Sequence, residues 1–254
     1  DFPRPMLFAH RGASAHAPEN TLAAFELAVR QFKNQPPAIE LDAKLTTDGK
    51  VFVFHDQTLE RTSNGHGKTC AHSLAQLKEL DAGSYFDASF AWEKIPMLDE
   101  VFETVGKKAL INVELTNYAT PGDGLNEGVA ELVQKHNLAQ RVVFSSFSPG
   151  NLRKMARLLP QVPRALLVIR GLPGAWGRSF LGSWIVSHQA LNPDLKDATP
   201  SLVRNTHKAG RRVNVYTVNE AKDIQYLAQI GVDGVFTDNV LLAEQALAEL
   251  PARS

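Results

Sequence analysis

Short apolar runs recur along this chain, and stretches with helical spacing separate them. The strand-like runs are Leu7–His10, Ala38–Asp42, Val51–His55, Ala109–Leu115, Val142–Ser146, Ala165–Ile169, Val213–Thr217 and Gly234–Thr237. A weaker ninth lies at Ala190-Leu191. Most are continuously apolar rather than alternating, as expected of parallel strands covered on both faces. Helical patterns fall at Thr21–Phe32, Leu98–Val105, Gly124–His136, Asn151–Leu159, Pro200–Ala209, Glu220–Ile230 and Val240–Leu250. In the first, Leu22, Phe25, Leu27, Ala28 and Val29 form a broad apolar face, and Asn20 or Thr21 can cap it. This alternation over 254 residues predicts an α/β fold, a (β/α)8 TIM barrel, with a doubly wound open sheet as the alternative.

Two segments do not fit a plain barrel. The Leu45–Lys50 connection is too short for a crossover helix, and Thr47-Asp48-Gly49-Lys50 reads as a tight turn. Residues 57–96 contain no clear strand and read as a small lobe inserted after the third strand, with a short helix at Ser73–Leu80. The chain is otherwise expected to be one domain spanning residues 1–254.

Composition excludes several classes. Lys plus Arg and Asp plus Glu both number 27, so there is no overall charge to favour nucleic acid or an anionic membrane. No apolar run approaches the ~20 residues of a spanning helix, so no stable membrane insertion is expected. A single cysteine, Cys70, rules out an intrachain disulfide. With no signal-like segment at its start, the chain is expected in the cytoplasm.

Polar residues crowd the ends of the apolar runs. They are His10 and Arg11, then Glu40 and Asp42, then His55 and Asp56, and later Glu114 and Asp238. Burying such groups is costly unless they are paired, hydrogen-bonded or bound to a metal. In a barrel these strand ends gather at one mouth. Glu40 and Asp42 are two apart and point to one face of their strand. Joined by Glu114, they form an all-oxygen set suited to one divalent cation, Mg²⁺ or Ca²⁺; taken singly, each acid also suits a surface salt bridge. His10 and His55 can act as acid and base on a phosphodiester, or serve as hydrogen-bonded structural residues. Arg11 can present its guanidinium to a phosphate or pair with Glu19. Asn20 can bond a metal ligand or substrate, or cap the following helix. Asp56 and Asp238 can orient their neighbours or cap loops. His16, His66, His72, His136, His188 and His207 lack ligand spacing and read as surface or packing residues. No Cys-His zinc cluster, nucleophile elbow or nucleotide P-loop occurs. Trp176, Phe180, Leu181 and Trp184 are spaced for one helical face, which suits packing on the sheet, an apolar substrate wall or a lipid surface.

These motifs together resemble the glycerophosphodiester phosphodiesterase family. The matching segments are His10-Arg11-Gly12, Pro18-Glu19-Asn20-Thr21, Glu40-Leu41-Asp42, His55-Asp56, Thr58-Leu59-Glu60-Arg61-Thr62, Asn112-Val113-Glu114, Ser145-Ser146-Phe147, residues 213–219 and Gly234-Val235-Phe236-Thr237-Asp238. Leu80-Asp81-Ala82-Gly83-Ser84 resembles the family's inserted lobe. The resemblance implies a (β/α)8 barrel that hydrolyses a small glycerophosphodiester to glycerol 3-phosphate and an alcohol. It implies Mg²⁺ or Ca²⁺ on Glu40, Asp42 and Glu114, His10 and His55 as general acid and base, and Arg11 on phosphate. A glycerol hydroxyl would attack first, giving a cyclic phosphate that water opens. The chain departs from the family at Thr116, where many members carry lysine, and at Tyr216, where many carry tryptophan. Lys44 shares the face of Glu40 and Asp42 and is a candidate substitute for that lysine. Arg11, Asn20, Lys44, Thr116 and Tyr216 are thus the expected substrate-binding set. A phospholipase acting on lysophospholipid and a non-catalytic, cation-dependent phosphoester-binding barrel are the alternatives.

Overall fold

A computed structural model describes residues 5–171, 174–175 and 186–250. Its strands are β1 (Met6–Ala9), β2 (Ala38–Leu45), β3 (Val51–Val53), β4 (Leu110–Leu115), β5 (Val142–Ser146), β6 (Arg164–Val168), β7 (Ala190–Pro193), β8 (Arg212–Val215) and β9 (Gly234–Thr237). The sheet runs β1-β9-β8-β7-β6-β5-β4-β2, and β1 pairs with β2 to close it. These eight strands are parallel, and with their flanking helices they form a TIM barrel.

The strand set differs from expectation at two places. Val51–His55 is not a barrel strand. It contributes β3, which folds back antiparallel on β2 with Leu45 opposite Val51 and Ala43 opposite Val53. The connection is too short to cross the sheet, so the chain makes a hairpin. The weak run at Ala190-Leu191 is instead a full barrel strand, β7. Its pattern is faint because Asn192 and Pro193 end the apolar run, and Asn192 faces a neighbour of its own kind: the Asn214 amide donates to its Oδ1 at 3.1 Å. The inserted segment therefore lies between barrel strands β2 and β4, following the hairpin.

Alternation along each strand sorts the side chains into two layers. Leu7, Ile39, Leu41, Val113, Phe144, Val213 and Val235 face outward into one large core. Helices α1 (Leu22–Gln31), α3 (Leu98–Val105), α4 (Leu125–Lys135), α5 (Pro149–Leu158), α6 (Pro200–Lys208), α7 (Ala221–Ile230) and α8 (Val240–Ala248) cover that face. They supply Phe25, Leu98, Val129, Met155, Val203, Ile224 and Ala243 to it. Inside the barrel, Phe8 and Phe236 stack at 4.8 Å above Met6 and Ala38. The segment after β3 holds α2 (Leu74–Glu79), started by a capping box at Ser73. It packs Leu59, Leu77, Ala82 and Ile95 on Phe52 and Phe54 of the hairpin. No helix among the described residues is long and apolar enough to cross a membrane.

Candidate active site

The same alternation that sends Ile39, Leu41 and Ala43 outward points Glu40 and Asp42 into the barrel mouth. In the β2–β4 register, Glu40 faces Asn112 and Asp42 faces Glu114. One oxygen from each of Glu40, Asp42 and Glu114 lies within 4.8 Å of the others. They line a cleft of about 220 Å³ together with His10, Arg11 and His55.

Electrostatics in this cluster is unfavourable for three bare anions. Burial and the charges of Asp42 and Glu114 push the Glu40 carboxyl well above its ordinary value. Burial and Asp42 push Glu114 up to about 8. Asp42 resists burial because Arg11, His55 and the Asn20 amide hold it below the usual carboxylate range. Two carboxyls driven toward protonation beside a third kept ionised relieve their repulsion when a cation joins them. The oxygen-only donors suit a hard divalent ion, so these three residues can hold one.

Each histidine in the cleft is backed by its own carboxylate. His10 follows β1, and its Nδ1 lies 2.7 Å from Asp238 Oδ1. Ser14 and Asn219 also donate to Asp238, and these bonds hold it below its ordinary value against the cost of burial. His55 lies two residues beyond β3, with Nδ1 at 2.6 Å from Asp56 Oδ1. Burial opposes ionisation of Asp56, but bonds from Arg61 and His55 hold it at about 2. An ionised acceptor at Nδ1 favours a proton there and leaves Nε2 free to work.

Arg11 has a left-handed backbone, φ 57°, and Gly12 follows at φ 83°. The sharp turn sends the Arg11 backbone N–H to Glu40 Oε2 at 3.0 Å and its Nη1 to Glu19 at 2.8 Å. Its Nε lies 3.5 Å from Asp42. Burial works against this charge, but Asp42, Glu19 and Glu40 outweigh it and hold the guanidinium above its ordinary value.

Of the other expected ligands, only Tyr216 lines the cleft. Its hydroxyl donates to the Val168 carbonyl at 2.9 Å. Asn20 is turned instead toward Asp42, donating from Nδ2 at 2.9 Å, while Thr21 caps α1. Lys44 is buried, with Nζ 3.4 Å from the Thr116 carbonyl. Thr116 donates its hydroxyl to the Ala43 carbonyl at 2.8 Å. Neither is among the residues that line the cleft, although Lys44 lies close enough to Asp42, Glu114 and Asp56 for their charges to act on it. Trp176, Phe180, Leu181 and Trp184 lie outside the described residues.

Two polar groups beside the carboxylates were given no role by the sequence patterns. Asn112 donates to Ser145 at 2.7 Å and keeps a buried Oδ1 without a partner. Tyr118 sits beyond the end of β4, where no periodicity signals its direction. A second cluster, Asp99, Glu103 and His136, lies on α3 and just after α4. There Lys135 and His136 already engage Asp99, at 2.8 and 2.6 Å, so His136 is a hydrogen-bond partner of that carboxylate.

Comparison with known proteins agrees with this geometry. The profile of the glycerophosphoryl diester phosphodiesterase family matches residues 10–242. A glycerophosphodiester phosphodiesterase of Caldanaerobacter subterraneus is 35% identical over 237 residues, covering 93% of this chain and 95% of that one. One from Bacillus subtilis is 34% identical over 249 residues, covering 92% and 84%. An Oleispira antarctica phosphodiesterase, solved with its product sn-glycerol-3-phosphate, superposes with a TM-score of 0.88 at 30% identity and covers 98% of both chains. Fold, sequence and the residues gathered at the barrel mouth agree, and the chain belongs to the glycerophosphoryl diester phosphodiesterase family.

Proposed function

We propose that this protein hydrolyses small glycerophosphodiesters to glycerol 3-phosphate and an alcohol, in a reaction that depends on one Mg²⁺ or Ca²⁺. One observation carries this: three carboxylates and two carboxylate-backed histidines converge in a single cleft of about 220 Å³ at the C-terminal mouth of the barrel. Glu40, Asp42 and Glu114 would hold the cation, which when bound polarises phosphoryl oxygens and offsets developing negative charge. The Arg11 guanidinium lines the same cleft and can donate from Nη2, which makes no hydrogen bond among the described residues, to a phosphoryl oxygen. Of His10 and His55, one Nε2 takes the proton from the attacking glycerol hydroxyl as the new P–O bond forms. The other protonates the departing alcohol oxygen as the old bond breaks. The resulting cyclic phosphate is opened by water with the two roles reversed. Asp238 and Asp56 hold the imidazoles in position throughout.

The test is glycerol 3-phosphate release from glycerophosphocholine and glycerophosphoethanolamine, with EDTA and then restored Mg²⁺ or Ca²⁺. Release should stop with chelator and return with a cation. His10→Ala and His55→Ala should each lower kcat by about 10²–10⁴-fold. Chelator-resistant release refutes the cation dependence. No release under any cation refutes the reaction and favours a lysophospholipid substrate or a non-catalytic phosphoester-binding barrel.

A further inference from the structure

The geometry points to Tyr118 as a positioning residue for the cation-binding carboxylate Glu114. The inference rests on the cation reading of the cleft just given. Tyr118 stands on the exposed rim, and its hydroxyl donates to Glu114 Oε1 at 2.8 Å.

Proton accounting makes this bond directional. The Tyr118 oxygen accepts the Phe147 backbone N–H at 3.1 Å. Its own proton has two neighbours within reach, Glu114 and Ser146 Oγ, the latter at 3.4 Å. Ser146 donates to the Leu115 carbonyl at 2.9 Å. Its oxygen already accepts from Ser148 N and from the Asn151 amide, each at 3.2 Å. With those donors around it, Ser146 is a crowded and more distant acceptor than the carboxylate at 2.8 Å. The phenol proton is left with Glu114.

The loop that carries the ring is itself tied down. Asn151 donates to Asn117 Oδ1 at 2.8 Å, and Asn117 donates to Asp123 at 2.9 Å. Tyr118 also meets Phe147 edge-on, at 5.9 Å between ring centres. A fixed donor on Oε1 holds the carboxylate rotamer and leaves Oε2 for the cation. Thr116, two residues after Glu114, cannot do this because its hydroxyl is spent on Ala43.

The experiment is calorimetric titration of the whole protein with Ca²⁺ and with Mg²⁺, for wild type, Tyr118→Phe and Tyr118→Leu, at one pH. Tyr118→Phe keeps the ring and removes only the hydroxyl. It should weaken cation binding about 10-fold, and Tyr118→Leu should weaken it to a similar extent. At saturating cation, Tyr118→Phe should keep a KM within about twofold of wild type, because the ring still stands on the rim. Wild-type affinity in Tyr118→Phe overturns the assignment. So does weakening confined to Tyr118→Leu, which would make the ring responsible. A wild-type protein that binds neither cation instead overturns the cation reading of the cleft.

Discussion

His188 shows how environment alone decides which histidines can carry charge. Burial lowers its value, a bond from Nδ1 to the Val186 carbonyl opposes this, and the charges of Arg211 and Arg164 lower it further, to about 4. Above pH 6.5 the folded and unfolded chains are both neutral there. As pH falls from about 6.5 to 4, the unfolded chain gains a proton that the folded chain refuses, so stability falls. His188→Gln should flatten this acid limb by about 2 to 3 kcal/mol between pH 7 and pH 4.5, measured by urea unfolding. Equal pH slopes in both proteins would refute the assignment. His10 and His55 were legible because each ends an apolar run and stands in a short polar motif, His10-Arg11-Gly12 and His55-Asp56. His188 sits in an equally apolar neighbourhood, yet its ring meets a backbone carbonyl. Sequence spacing does not separate a carboxylate partner from a carbonyl partner.

At the scale of elements, the turn from β1 into α1 sets the cleft. It must bring His10 and Arg11 off the strand while α1 packs close behind. Gly12 meets both demands. Its φ is +83°, and an added Cβ would stand 2.7 Å from the Ala24 backbone carbon and 2.9 Å from its oxygen. Backbone cannot yield as a flexible side chain does, so Gly12→Ala should cost about 2 kcal/mol or more. Denaturant midpoints with unchanged slopes would show it, and a loss below about 0.5 kcal/mol would contradict it. The helix itself was visible in the sequence through its apolar face. Which of Asn20 and Thr21 caps it was not. Thr21 caps, and Asn20, at φ 58°, is free to grip Asp42. The two residues are equivalent by propensity, and only the return of β2 beside them separates their roles.

Across the whole molecule, the segment between β3 and α3 is clasped to the barrel rim by charge. Arg61 donates to both oxygens of Glu19 and both of Asp56. Glu19 also holds Arg11, and its backbone N–H reaches the Tyr85 hydroxyl at 3.0 Å. Arg61 is half exposed, so solvent screens the clasp and its worth to stability is small, about 1 kcal/mol or less. Its effect on geometry is larger, because Asp56 orients His55. Arg61→Met should leave the melting temperature within a few degrees of wild type while lowering kcat/KM by about 10- to 100-fold. An unchanged kcat/KM would show that His55 holds its position without the clasp.

The sequence by itself determined the layering of this protein: which runs become strands, which faces are apolar, and which polar residues share a face. Those properties follow from the two-residue period of strands and the helical period between them, and both are local. It also carried the family motifs that place His10, Glu40, Asp42, His55 and Glu114 near one mouth. Tertiary structure decided what depends on contact across the chain. Closure between β1 and β2 left β3 outside the barrel and made a full strand of the faint β7 run. The β2–β4 pairing set Lys44 and Thr116 against backbone carbonyls, and the loop after β4 brought Tyr118 back onto Glu114. Periodicity tells a side chain which face to take; its partner is set by which distant strand arrives beside it.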